Sequence, residues 1–216
     1  MKVTRIQEID PIVVADELQW RPLRRTLGIE AFGINAYTAD AGQLVVEEHD
    51  ETGAGAGHHE ELYVVVTGHA TFTVDGNEID APVGTCVFLA DPKERRAARA
   101  TADGTTVLAV GGTRGEAFQI SPWESRFAAI PAWKAKRYDE VEALLREALE
   151  RHPGNTSVLY DLACLEAARG NTDEALACLE QAFVDPRTRE WAQTDTDLDS
   201  LRGDPRFSAA LESRPE

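Results

Sequence analysis

A chain of 216 residues with 43% hydrophobic content can bury one large core or two small ones, which excludes disorder throughout. Its 38 acidic side chains outnumber 22 basic ones, for a formal charge of −16, so neither nucleic acid nor an anionic membrane is expected as a partner. No run reaches the roughly 18 apolar residues of a membrane span, and the acid-dotted start MKVTRIQEIDPIVVADELQW lacks the apolar core of a signal peptide, so a cytoplasmic location is expected. Cys86, Cys164 and Cys178 are an odd number in no metal-ligand spacing, which argues against a disulfide framework and a structural zinc site.

From the N-terminus the chain reads as short strands divided by turn residues. Gln43 to Glu47, Leu62 to Val66, Ala70 to Val74, Thr85 to Leu89 and Thr105 to Val110 are rich in β-branched residues and bounded by Gly, Asp and Pro. Asp75-Gly76-Asn77 predicts a tight hairpin, because a two-residue primed turn needs positive φ. Strands at intervals of roughly 8–12 residues with a turn signal at each break predict an all-β sandwich or barrel. After Pro131 the apolar spacing becomes helical. Val141, Leu144, Leu145, Ala148 and Leu149 recur at three and four residues until Pro153-Gly154-Asn155. Leu159, Leu162, Ala163 and Leu165 form a second stripe, closed by Gly170-Asn171. Ala175, Leu176, Leu179, Ala182 and Phe183 form a third, ended by Asp185-Pro186. Turns this short make the helices antiparallel neighbours. The expected division is a β domain over 1–122 and a helical domain over 123–216, an α+β multidomain chain.

Thr156 to Pro186 resembles a tetratricopeptide repeat, a helical hairpin of about 34 residues. Leu159 takes the first large position, Leu162-Ala163 the Leu-Gly pair, Gly170 the turn glycine, and Ala175 and Ala182 the small positions where helices cross. Tyr138, Val141, Leu145, Ala148 and Pro153 fit the second helix of a preceding unit, whose first helix, around Trp123 to Trp133, departs from the pattern. One and a half repeats need a cap, and Leu198, Leu201 and Phe207 in the closing stretch are candidates to cover the last hairpin. The resemblance implies a protein partner for the helices. Cys164 and Cys178 read most simply as small core residues.

Gly57 to Gly76 resembles the first signature of the cupin superfamily, small double-stranded β-helix jelly-roll barrels. Glu61 precedes Gly68 by seven positions across a strand, and Ala81-Pro82-Val83-Gly84-Thr85 is similar to the turn that opens the second signature. The resemblance implies a barrel interior that binds a small molecule, often a divalent transition metal such as iron, manganese, nickel or zinc, and pairing into a homodimer. The ligand set itself is degenerate. The third-ligand place aligns with Arg95, which cannot ligate a cation, and the paired histidines are displaced by an enlarged loop, Thr52 to Gly57.

What remains is a cluster: His49 ending one strand and His58, His59, Glu60 and Glu61 opening another. Alternation puts His59, Glu61, Tyr63 and Val65 on one face, which the resemblance makes the interior. His49, His59 and Glu61 are therefore the candidate metal ligands, two imidazoles and a carboxylate. Tyr63, Arg95 and Arg96 are the candidate ligand-binding residues, since an arginine facing inward binds a carboxylate or phosphate. A hydrogen-bonded or solvated cluster and arginines paired to surface acids are the plainer alternatives. The Gly-Ala loop at 52–57 is either a lid or an inert insertion. Three functions stay open: a degenerate cupin that binds a small molecule and uses its repeat to touch another protein, a metal-dependent dioxygenase or isomerase, or a purely structural dimer module.

Overall fold

In the computed structural model, which describes residues 1–14, 17–52 and 57–213, the chain forms two compact units, Met1–Ser121 and Pro122–Glu216. Among its described residues the first contains a 3-10 turn over Ile6–Glu8, ten strands and one short α-helix: β1 (Ile12–Val13), β2 (Gln19–Arg21), α1 (Leu23–Leu27), β3 (Gly33–Ala39), β4 (Leu44–His49), β5 (Glu60–Thr67), β6 (His69–Val74), β7 (Asn77–Pro82), β8 (Cys86–Leu89), β9 (Arg96–Ala100) and β10 (Thr105–Gly112). They pair antiparallel into a six-stranded sheet of order β1-β2-β3-β10-β5-β8 and a four-stranded sheet of order β4-β9-β6-β7. No ladder joins the two sheets among the described residues, so the expected barrel is an open two-sheet sandwich. Its core lies between the sheets. Tyr63, Val65, Val87, Leu89 and Val107 from the larger meet Val45, Phe72, Ala98 and Ala100 from the smaller, the interdigitation that gives aligned sandwiches their core.

Local sequence explains the joints. Asp75 and Gly76 have φ of 46° and 81° and link β6 to β7 by the two-residue turn that Asp-Gly predicts. Gly68, at φ 73°, is the single residue between β5 and β6. A Cβ there would lie 2.4 Å from Thr105 Oγ1 and 2.7 Å from Thr105 Cα, so both backbone conformation and space demand glycine. On β4 the pairing with β9 is irregular: Leu44, Val46 and His49 oppose Arg99, Ala98 and Arg96. Such bulges break strict alternation and re-aim the side chains beyond them. Val45 and Val46 are both buried, and His49 comes to lie opposite Arg96.

The second unit contains α2 (Pro122–Lys134), α3 (Tyr138–Arg151), α4 (Thr156–Arg169), α5 (Thr172–Ala182), α6 (Pro186–Thr194), a 3-10 turn over Thr196–Leu201 and α7 (Pro205–Glu212). Asn155 starts α4 by accepting a hydrogen bond from the Val158 backbone N–H at 3.1 Å, and Gly170 ends it in the left-handed region. Ala163, Ala175 and Ala182 are wholly buried in the α4/α5 hairpin, where small side chains let helices approach closely. Leu198, Leu201 and Phe207 join that core from the far side, as the cap requires. Cys164 is buried with them and Cys178 packs at the edge. The departing segment around Trp123 to Trp133 is helical, with Pro131 inside α2. Among the described residues no helix is long and apolar enough to cross a membrane.

Candidate functional site

Three strands of the sandwich carry polar side chains to one end of the core. β4 brings His49, with Glu51 two residues on; β5 brings Glu61 and Tyr63; β9 brings Arg96. Arg96 is the first residue of an alternating strand whose Ala98 and Ala100 face the core, and its side chain is fully enclosed. Its guanidinium donates to Glu61 Oε2 at 2.6 Å and to the Glu94 carbonyl at 2.8 Å, with Nε 3.5 Å from the Tyr63 hydroxyl. Tyr63 donates to the same Glu61 oxygen at 2.5 Å and lies 3.4 Å from His49 Nε2. His49 Nε2 is 3.8 Å from Glu61 Oε2 and 3.6 Å from Glu51 Oε1, while its Nδ1 meets the Glu47 carbonyl at 2.7 Å. Of these side chains, His49 is the most open, at 35% exposure against 12–13% for the two glutamates.

Electrostatics follow from that packing. Burial pushes the Glu61 carboxyl up, but the His49 imidazole, the Tyr63 hydroxyl and the Arg96 charge outweigh it and hold the group at about 2. Glu51 goes the other way: burial and the adjacent Glu61 charge raise its carboxyl above the usual range, and the nearby histidines and Arg96 only partly offset them. Burial pulls His49 down, yet the neighbouring Glu61 and the Glu47 carbonyl leave it above the ordinary imidazole value. The Tyr63 phenol, buried and facing Glu61, stays protonated far beyond its ordinary range.

The sequence-predicted residues divide. His49, Glu61, Tyr63 and Arg96 come together. His59 lies beside them: its Nδ1 is 3.8 Å from the other oxygen of Glu51, and its ring packs on Phe118 at 5.7 Å. Gly57 passes directly over that ring, and a Cβ there would fall 2.0 Å from His59 Nε2. Arg95 points away. It is exposed and paired with Glu48 at 2.6 Å, so the inward place belongs to Arg96, next along the strand. Sequence reading missed Glu51, which caps the cluster and accepts a hydrogen bond from the Gly57 backbone N–H at 3.1 Å. The proposed lid falls at 52–57, and residues 53–56 lie outside the described residues.

One ligand atom each from His49, Glu51 and Glu61 lie within 4.8 Å of one another, the span of a three-ligand cation site. The buried guanidinium weighs against a resident metal. Arg96 already stands 2.6 Å from Glu61 and 3.9 Å from Glu51. A divalent ion bound to the same carboxylates would sit a few ångströms from that fixed charge, where repulsion in a weakly screened interior amounts to several kcal/mol. Arg96 therefore competes with a divalent ion for Glu61 and Glu51. Arg96 supplies the counter-charge instead.

Residues 132–194 match the tetratricopeptide repeat family. No curated protein matches the sequence. Among solved structures, a protein described as a predicted oxalate decarboxylase from Thermotoga maritima is 19% identical, with a TM-score of 0.42 over 51% of this chain and 97% of that one. An RmlC-like cupin protein from Desulfovibrio desulfuricans is 30% identical, with a TM-score of 0.33 over 38% and 73%. A sugar phosphate isomerase of the cupin superfamily from Silicibacter pomeroyi is 17% identical, with a TM-score of 0.43 over 52% and 76%. The chain joins a cupin-like two-sheet unit to a helical unit whose residues 132–194 match the tetratricopeptide repeat family.

Proposed function

We propose that the cupin-like unit is a binding module for a small polar molecule and that the helical unit links it to a protein partner. The observation that carries the first part is the enclosed Arg96–Glu61 pair. It gives Glu61 its counter-charge and leaves Glu51 without a cation as close, its nearest guanidinium nitrogen being 3.9 Å away. Two carboxyl groups, Glu51 and Glu61, face the single guanidinium of Arg96. Such an acid-rich cluster favours ligands rich in hydroxyl or amino donors, and an anionic ligand would have to displace Glu61 from Arg96.

The competing reading, a metal-dependent enzyme, is favoured by the compact His49, Glu51 and Glu61 group. Metal analysis of untagged protein, alone and after loading with iron, manganese, nickel and zinc, separates the two. The binding reading expects substoichiometric metal, and a thermal shift with polyols or amines that Glu51→Gln removes. One tightly held transition metal per chain, lost in His49→Ala and Glu61→Gln, would overturn it.

A further inference from the structure

The helical unit contains a cavity of about 250 Å³ between α2, α3, α4 and the turn over Thr196–Leu201. Phe127, Ile130 and Trp133 give it apolar walls, and Asp161, Asp195 and Asp197 stand around it. Arg126, Phe127 and Ile130 precede the matched repeat and Asp195 and Asp197 follow it, so residues flanking 132–194 complete a cavity whose remaining wall, Trp133, Tyr160 and Asp161 among it, lies within the match.

The charges there are unbalanced. Arg126 is committed to Asp161 through Nε at 2.5 Å and a second nitrogen at 2.9 Å, and it lies over the Trp191 ring at 5.7 Å. Asp195 receives only neutral donors, the Tyr160 hydroxyl at 2.8 Å, the Asp197 backbone N–H at 2.9 Å and the Cys164 thiol at 3.9 Å. Among the described residues neither Asp195 nor Asp197 forms an ion pair. Burial and the neighbouring Asp195 and Asp161 charges raise the Asp197 carboxyl above its usual range, the mark of acids crowded without a cation between them.

We propose that this cavity receives the lysine or arginine side chain of a protein partner, its alkyl stem against Phe127, Ile130 and Trp133 and its charged head among Asp161, Asp195 and Asp197. An apolar channel ending in carboxylates matches a side chain that is itself an apolar stem ending in a cation. The Trp133 ring adds a face suited to such a cation. The inference rests on the reading that the helical unit binds protein and specifies what the partner must present.

The test uses the full chain and four capped amino acids, the N-acetyl amides of lysine, arginine, norleucine and glutamine, titrated by ligand-observed NMR. The lysine and arginine amides should bind about tenfold more tightly than norleucine amide, which has the stem without the charge. That preference should shrink in Asp197→Asn and in Asp195→Asn, a change that keeps a side chain able to cap the turn. Equal binding of norleucine, or an unaltered preference in both variants, would overturn the proposal. Tighter binding of free butylamine than of the lysine amide would overturn the assignment to a protein side chain. Whether a protein co-purifies with the chain tests the parent reading separately, so the two can fail independently.

Discussion

Each unit places an arginine among several acids, and the two arrangements behave oppositely. In the sandwich, Arg96 is fully enclosed and faces Glu61 at 2.6 Å, with Glu51 behind it at 3.9 Å. In the helical unit, Arg126 remains 26% exposed, answers Asp161 alone, and leaves Asp195 and Asp197 without a cation. An acid cluster with its counter-charge built in is part of the fold. One without it retains attraction for a charge from outside. The contrast lies in burial and stoichiometry, and both are open to substitution.

The sharpest break is Arg96→Met against Arg126→Met. Removing Arg96 strands a buried carboxylate and should cost about 3–5 kcal/mol in chemical denaturation. Removing the partly exposed Arg126 should cost only about 1 kcal/mol. The double variant Arg96→Met with Glu61→Gln should recover much of the first loss, because no charge is left unpaired. Equal costs for the two single variants would erase the distinction.

Next in size is the pH dependence of the sandwich. Glu61 is depressed in the folded state, to about 2. Its contribution is therefore present above the ordinary carboxyl value of about 4.3 and is lost as pH falls through the folded value. Thermal unfolding followed between these limits should lose about 3 kcal/mol on this account, and Glu61→Gln should flatten that part of the curve. His49, raised in the folded state, has the opposite sign: its contribution is complete below about 6.5 and declines as pH rises through the folded value. A stability curve unaffected by Glu61→Gln at low pH would contradict the assigned pairing.

The smallest effect is expected at Asp197. It is exposed and lacks a cation, so Asp197→Asn should leave stability within about 0.5 kcal/mol of the parent, and any change should be a gain from relieved repulsion. A loss comparable with that of Arg96→Met would mean that the helical acids, too, are structural.

How legible these features were in the sequence depended on whether local chemistry or pairing decided them. The strands β5, β6 and β10 are β-branched runs and read directly. β3 (GINAYTA), β7 (NEIDAP) and β9 (RAARA) carry weak strand signals and are fixed by their neighbours, β9 by lying between β4 and β6. The helices α3, α4 and α5 were readable nearly to their ends, whereas α6, which Asp185 opens, and α7, which Asp204 opens, were not anticipated. At the site, alternation along β5 found Glu61 and Tyr63. It did not find that Arg96, not Arg95, faces inward, because that follows from pairing with His49 on β4 and Val74 on β6. Glu51 was hidden for a similar reason. The bulge in β4 and the turn after it bring it over the cluster, and neither has a local signature in Glu47-Glu48-His49-Asp50-Glu51.

The open edges of the sandwich have a consequence for how copies of this protein avoid sticking together. The larger sheet ends in strands of two and four residues, β1 and β8, too short to template a long added strand. The smaller sheet ends in β4, bulged and carrying Glu47 and Glu48, and in β7, which exposes Glu78 and Asp80 and closes on Pro82. Every edge combines brevity, irregularity or negative charge, so amyloid-like stacking through the sheets is disfavoured without a barrel seam to seal them.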